Sequence, residues 1–194
     1  MNLAAAMVDS GSSGQNLTDN NLHKTIILNA VNSGYLSVGN RLDSNGIYIL
    51  VLGPDVTDSQ MCTSYCGYNY YSDQFQYITI GHPSVCPNAC IPPLNSQSSP
   101  NNSPFIDAII TVLSHELQDI LTDPRLNAWV VNNNGHSLEL GDFCSGDNTS
   151  TDEWFGKYQN ASNGASYNLQ FNNAQYLVQT IYSKEKNACL LTNQ

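Results

Sequence analysis

Six cysteines are the feature of this 194-residue chain that most constrains its fold. They form two C-x3-C pairs and two separate positions: Cys62 and Cys66, Cys86 and Cys90, then Cys144 and Cys189. An even number of cysteines in a weakly charged, asparagine-rich chain favours three disulfides formed in an oxidising compartment. Zinc ribbons usually use C-x2-C with further Cys or His at matching spacing, so these cysteines favour disulfides over a zinc ribbon.

Charge excludes whole classes of partner. Charged residues make up 11% of the chain, and the balance of 6 Lys+Arg against 16 Asp+Glu gives a net charge of -10. So few cations cannot form a phosphate-binding surface, which argues against nucleic acid and against anionic membranes. No apolar run approaches the roughly 20 residues of a transmembrane helix, so we expect no transmembrane segment.

Potential glycosylation sites agree with an oxidising compartment. Four N-x-S/T sequons lie in polar, turn-like stretches, at Asn16, Asn101, Asn148 and Asn160. The opening "MNLAAAMVDSGSSG" is too short and too polar for a complete signal peptide. Together with the cysteines, the sequons predict a secreted glycoprotein located outside the cell or in the cell wall.

Hydrophobic periodicity predicts both helices and strands. Residues 22–38 carry a short helix that ends near Gly34, and the apolar run 47–52 has the composition of a buried central strand. A second strand is expected over 75–81. The strongest helix runs from Phe105 to Leu121, because apolar residues recur there at i, i+3, i+4 and i+7.

That last helix also carries the candidate metal-binding and catalytic residues. His115 and Asp119 are four positions apart and project from one helical face, with Glu116 directly after His115. The pattern matches H-E-x-x-H with Asp as the second ligand, where the intervening Glu is the general base. The leading third ligand is Asp142, with Glu139 and His136 as alternatives. The opposing interpretation is a solvated polar face of an amphipathic helix.

Several motifs fall in the order typical of one family. They are "GIYILVLGPDVTDSQMCTSYCGYNYY", "YITIGHPSVCPNAC", "IDAIITVLSHELQDILTDPRLNAW" and "ELGDFC". Over residues 45–190 the chain resembles the phosphate-induced protein (EXORDIUM-like) family, known chiefly from secreted plant proteins. The resemblance implies an α+β fold: a single zincin-like domain with a mixed β-sheet packed on the metal-motif helix and stabilised by disulfides.

The same resemblance implies roles for individual residues. His115, Asp119 and Asp142 become metal ligands, Glu116 the catalytic glutamate, and all six cysteines family features. Two departures weaken the site. Family members usually have Glu at the position of Asp119, and their Cys-Gly-Phe-His is here Cys-Gly-Tyr-Asn over 66–69. The expected cofactor is zinc, or calcium because the ligand set is rich in oxygen.

The N-terminus departs most from the family pattern. We expect an extended arm over 1–21 and the family domain over 22–194. If the first strand of the sheet is missing, an open edge remains that a strand from another copy could fill. The apolar residues 2–8 are the segment such an exchange would use. The alternative is an arm that packs on its own domain or stays mobile.

These observations lead to three hypotheses of function. The first is an extracellular structural protein that assembles with its own copies into a filament or surface layer and keeps a vestigial or structural metal site. The second is an active zinc metallopeptidase. The third is a cell-wall carbohydrate-binding module, in which Trp129, Trp154 or tyrosines stack on glycans. Six cysteines allow 15 pairings. Among them we expect 144–189 together with 62–90 and 66–86.

Overall fold

The fold is a mixed α+β arrangement. A computed structural model of the chain describes residues 3–39, 41–133, 135–146 and 150–191. Within these ranges the helices are α1 (Asn20–Asn32), α2 (Pro87–Cys90), α3 (Pro104–Thr122), α4 (Leu140–Phe143) and α5 (Thr151–Phe155). A 3₁₀ turn covers Pro93–Asn95. In this described part of the chain, no helix combines the length and hydropathy needed to cross a membrane.

The strands are short and form several small sheets. In the first half they are β1 (Asn16–Leu17), β2 (Ile47–Val51), β3 (Thr57–Asp58), β4 (Gly67–Tyr71) and β5 (Gln76–Ile80). In the second half they are β6 (Val130–Asn133), β7 (His136–Glu139), β8 (Gln159–Asn160), β9 (Ser166–Tyr167), β10 (Leu169–Phe171), β11 (Ala174–Tyr176), β12 (Ile181–Ser183) and β13 (Ala188–Leu190). The pairs β6/β7, β8/β9, β10/β11 and β12/β13 are antiparallel.

The central sheet lies between two helices. Its order is β2–β5–β4, with β2 parallel and β4 antiparallel to β5. Tyr48 and Tyr77 pack on one face against α1, in a cluster with Ile27. On the other face Ile78 and Ile80 pack against α3. The mixed sheet packed on the motif helix, predicted from the family resemblance, is therefore confirmed.

One strand lies elsewhere than the sequence predicted. The run 47–52 was expected to be a central strand, but β2 is the edge strand and β5 is the central one. Tyr48 is buried, whereas Ile49 and Val51 are exposed at 42% and 46%. The central-strand prediction was wrong because a continuous apolar run records which side chains are apolar and not whether both strand faces are covered. The strand predicted over 75–81 is confirmed as β5.

Both predicted helices are confirmed, with local reasons for their limits. Helix α1 ends where Ser33 bonds back to Asn29 and Gly34, with a φ of 88°, bonds to Val31. Helix α3 begins with Pro104 in its first turn. Asp107 accepts from the backbone N–H of Asn101 at 2.9 Å, which fixes the approach to the helix.

Three disulfides tie the loops to the helices. The pairs are Cys62–Cys86, Cys66–Cys90 and Cys144–Cys189. The 144–189 pairing is confirmed. The expected pairs 62–90 and 66–86 are wrong, because the two C-x3-C segments pair first with first and second with second. Sequence spacing alone does not distinguish these two arrangements.

The N-terminal arm divides into two parts. Asn16–Leu17 pairs in parallel with Thr57–Asp58 of its own chain, and Leu17 is 1% exposed. Residues 3–10, by contrast, form neither helix nor strand, and Leu3 and Val8 are 87% and 88% exposed. The last residues of the predicted arm thus belong to the domain, and its first described residues contact little of it.

Candidate metal centre

Three side chains predicted as ligands converge at one point. His115 Nε2 lies 3.4 Å from an Asp119 carboxylate oxygen and 3.3 Å from one of Asp142. One potential ligand atom from each of the three residues lies within 4.8 Å of the others. Asp119 is the shorter residue at a position where the family usually has Glu, and its carboxylate still reaches this point.

Helices α3 and α4 pack together to create the site. The backbone N–H of Gly141 in α4 donates to Asp119 Oδ1. A Cβ added at Gly141 would lie 2.7 Å from both Asp119 oxygens, so only glycine allows this close approach. Because Asp142 follows Gly141 directly, the same contact brings its carboxylate to the helix that carries His115.

Glu116 lies beside the cluster, on the buried side of the site. Its Oε1 is 4.0 Å from His115 Nε2, and its side chain is 4% exposed. Strand β4 covers it, since a Cβ added at Gly67 would lie 3.3 Å from Glu116 Oε1 and 2.6 Å from Val112. A carboxylate held there is close to the atoms that would surround a cation and shielded from bulk water.

Burial raises the pKa values of two acids in and beside the cluster. Burial, reinforced by the charge of Asp119 and opposed by His115, raises the pKa of Glu116 to about 8. Burial also raises the pKa of Asp119 to about 6, although His115 and the Gly141 N–H favour its charged form. Burial disfavours charge on His115 too, but Asp142, Glu116 and Asp119 outweigh it and raise its pKa to about 10. Burial thus disfavours charge on both acids, whereas the carboxylates around His115 favour a charged imidazole.

The alternative third ligands lie on the following hairpin. Glu139, the residue before α4, accepts from Asn69 Nδ2 at 3.1 Å. Burial raises its pKa to about 7, even though the Asn69 hydrogen bond favours the charged form. Glu139 thus contacts the edge of the site. The side chain of His136 lies outside the described part of the structure, so its proposed role stays a prediction.

A residue that sequence reasoning missed holds His115. Gln179 is 3% exposed, and its Oε1 lies 2.9 Å from His115 Nδ1. Gln179 lies in an irregular segment between β11 and β12, 64 residues from His115. Neither periodicity nor a local motif marks such a residue, so nothing in the sequence pattern indicated it.

The geometry of the cluster fits a transition-metal ion. The two distances from His115 are those of ion pairs, and they also equal the separation of about 3.4 Å between tetrahedral ligands with bonds of about 2.1 Å. The donors are one imidazole nitrogen and carboxylate oxygens, a set that suits zinc. Calcium takes six to eight oxygen ligands, and an imidazole nitrogen is a poor donor for it. Zinc therefore fits these residues better than calcium does.

The cluster opens into a cleft of about 250 Å³. Its walls include Tyr65, the disulfide-bonded Cys66, Ile91 and Trp154. Apart from the site residues His115, Glu116 and Asp142, the lining side chains are neutral. The carboxylates disfavour anionic ligands, and the cleft therefore suits a neutral segment with apolar groups.

The remaining predicted sites are scattered over the surface. Asn16 and Asn160 are exposed, while Asn148 lies outside the described residues. Asn101 Nδ2 donates to Asp107 Oδ1 at 2.7 Å and to the carbonyl of Gln175 at 2.6 Å. Trp129 is 68% exposed beside a separate cavity of about 350 Å³. Glycosylation of the three described asparagines and glycan stacking by Trp129 stay predictions.

Comparison with known proteins decides the family. The model of the phosphate-induced protein 1 conserved region matches residues 1–192. The chain belongs to the phosphate-induced protein 1 family. The match reaches further towards the N-terminus than the motifs over 45–190 indicated, and it includes the arm and α1.

Two similar members of the phosphate-induced protein 1 family come from Arabidopsis thaliana. Protein EXORDIUM-like 3 is 27% identical over 164 residues, covering 75% of this chain and 49% of the relative. Protein EXORDIUM-like 5 is 25% identical over 200 residues, covering 92% and 54%. The chain thus spans about half the length of the curated relatives it matches. No solved structure matches it.

Proposed function

We propose that this chain is a secreted, disulfide-linked protein that binds Zn²⁺ through His115, Asp119 and Asp142 and hydrolyses peptide bonds. The convergence of one imidazole and two carboxylates on a single point is the observation that carries the proposal. The family membership and the three disulfides support a place outside the cell. Peptide hydrolysis thereby takes precedence over the purely structural role expected from the sequence.

Each residue has a defined task in this reaction. A bound divalent ion supplies Lewis acidity and makes water a stronger nucleophile. Glu116, buried beside His115, accepts the proton of the attacking water and returns it to the leaving amine. Burial raises its pKa in the metal-free protein, and a bound cation would favour the charged form that can accept a proton. The neutral cleft walls receive the peptide on either side of the scissile bond.

Titration calorimetry of the metal-free protein with Zn²⁺ tests the binding step. One Zn²⁺ per chain is expected, and Asp119→Asn and Asp142→Asn should each weaken binding at least tenfold. Asp55→Asn removes an exposed carboxylate far along the chain and should leave the affinity unchanged. Absence of stoichiometric binding by the wild type would overturn the proposal.

Hydrolysis of an unstructured protein such as casein tests the catalytic step. Glu116→Gln should abolish cleavage while Zn²⁺ still binds, since the Gln side chain cannot accept the proton. Cleavage that persists in Glu116→Gln, or in a chelator, would show that the activity arises elsewhere.

We also propose that copies of this chain associate through the N-terminal arm. Strand β2 has a partner on one side only in the described sheet, and its Ile49 and Val51 are exposed. The apolar arm residues 3–8 are exposed as well, except for Met7, which is half-buried. A strand from a second copy added along β2 would bond to its outer backbone groups and cover both side chains.

Light scattering after size-exclusion chromatography tests this association. The wild type should form oligomers that Val51→Lys and deletion of residues 3–8 both reduce to monomers. Leu169→Lys, which removes an equally exposed apolar side chain from the β10/β11 hairpin, is the matched control and should not change the mass. A wild type that stays monomeric at high concentration would exclude the assembly.

A further inference from the structure

The orientation of the Gln179 amide can be read from its neighbours. Its Nε2 donates to the carbonyl oxygen of Gly141 at 3.0 Å and to that of Thr180 at 3.3 Å. A carbonyl oxygen can only accept, so the NH₂ end of the amide must face these two groups. The Oε1 end must therefore face the opposite side.

A second donor agrees with that orientation. Trp154 Nε1 lies 3.3 Å from Gln179 Oε1, and an indole N–H can only donate. The reversed amide would set its oxygen against two carbonyl oxygens and its NH₂ group against the indole N–H. Three groups of fixed polarity therefore define Oε1 as an acceptor.

The acceptor determines which nitrogen of His115 carries a hydrogen. His115 Nδ1 lies 2.9 Å from Oε1, so Nδ1 must donate to it. In the neutral ring the hydrogen is then on Nδ1, and the lone pair is on Nε2. Nε2 is also the atom that faces the carboxylates of Asp119 and Asp142.

We infer that Gln179 is a positioning residue that holds His115 with Nδ1 protonated and Nε2 directed at the cation between Asp119 and Asp142. The inference rests on the proposed metal site and adds the residue that orients the imidazole ligand of the described cluster. Gln179 also joins the elements around the site, because it contacts α3 through His115, α4 through Gly141 and α5 through Trp154. Metal ligands of the histidine type depend on such partners for ring orientation and basicity.

Substitution of Gln179 in the full chain tests the inference. Gln179→Met removes the acceptor, and loss of such a partner typically weakens metal affinity about 10- to 100-fold. Gln118→Met is the matched control, because Gln118 Nε2 donates to the backbone of Gln179 and not to His115. Calorimetric Zn²⁺ titration should show the loss in Gln179→Met alone. Equal affinities in the two variants would overturn the inference.

The ¹H–¹⁵N spectrum of the imidazole gives a readout that general destabilisation would not reproduce. In the Zn²⁺-loaded wild type the remaining ring proton should be on Nδ1 and exchange slowly with water. Gln179→Glu keeps an acceptor and should retain this signal, whereas Gln179→Met should lose it. A ring proton on Nε2 of the loaded wild type would contradict the assignment.

Failure of the metal proposal can be separated from failure of this one. If the wild type binds no Zn²⁺, the proposal of a metal site is overturned. The hydrogen bond is still tested in the metal-free protein, where a slowly exchanging Nδ1 proton should be present in the wild type and Gln179→Glu and absent in Gln179→Met. Its absence from the wild type would overturn the role of Gln179 independently of any metal.

Discussion

Among single residues, Glu116 shows how the burial of an acid can reduce the stability of the fold. Its pKa is raised from 4.5 to about 8 by burial. The unfolded chain therefore releases this proton at lower pH than the folded chain, and the free energy of unfolding falls as pH rises from 4.5 towards 8. In a chelator at pH 7.5, Glu116→Gln should raise the free energy of unfolding by about 1–3 kcal/mol. Urea unfolding at pH 4.5 and 7.5 measures this difference, which should vanish at the lower pH. Glu185→Gln, an exposed acid, should show none.

His23 makes the opposite prediction in a different part of the molecule. It is fully buried, with Nδ1 2.7 Å from the Tyr68 hydroxyl and Nε2 3.0 Å from Asp58 Oδ2. Burial lowers its pKa, although Asp58 and Asp19 favour the charged ring. The unfolded chain thus takes up this proton first, and His23 reduces stability as pH falls below 6.5. Replacing His23 by Gln should flatten the decline in the free energy of unfolding between pH 7 and 5. His82→Gln is the control, and equal slopes in all three proteins would contradict the prediction.

Between elements, the contact of β4 with α3 determines how closely the sheet covers the site. A Cβ at Gly67 would meet Val112 at 2.6 Å and the Thr79 carbonyl at 3.0 Å, so Gly67→Ala must separate strand and helix. Overpacking of this kind costs about 1–3 kcal/mol. We expect a lower melting temperature together with weaker Zn²⁺ binding, because Glu116 and His115 lie next to this contact between strand and helix. In Gly53→Ala the close contact of the new methyl is with the exposed Asp55 side chain, which can move away, and Val56 lies at an ordinary contact distance of 3.7 Å. A similar loss in both variants would show that the β4–α3 spacing is not limiting.

The helices and strands also show which features of the structure could be predicted from the sequence. Helix α3 was predicted from the local periodicity of its apolar residues. The same helical repeat places His115 and Asp119, four positions apart, on one face. Asp142 was named as the leading downstream ligand before the family resemblance supported it, and its position depends on the close approach of Gly141 to Asp119. The place of β2 at the sheet edge and the contact of Gln179 with His115 depend on tertiary packing. Spacing and composition carry no information about either.

At the scale of the whole molecule, the Cys144–Cys189 disulfide connects the proposed metal site to the C-terminal hairpin. Cys144 lies two residues after Asp142, and the bond closes a loop with a sequence separation of 45. Cys189 pairs with Tyr182 in the β12/β13 hairpin, and Phe143 packs edge-on against the ring of that tyrosine. The disulfide therefore restrains α4 from its C-terminal side, while Gln179 and Asp119 hold it from the other.

Removing this disulfide should therefore affect stability and metal binding together. Replacing both Cys144 and Cys189 by Ser should cost about 2–5 kcal/mol of stability, and the added freedom of Asp142 should lower Zn²⁺ affinity. Replacing both Cys62 and Cys86 by Ser is the matched comparison, because that bond has a separation of 24 and joins no ligand-bearing element. It should lower the melting temperature with a smaller change in Zn²⁺ affinity. Thermal unfolding in chelator and calorimetric titration below the melting temperature separate the two effects. If the folded 144/189 variant binds Zn²⁺ as tightly as the wild type, Asp142 is held by α4 alone and the disulfide serves stability only.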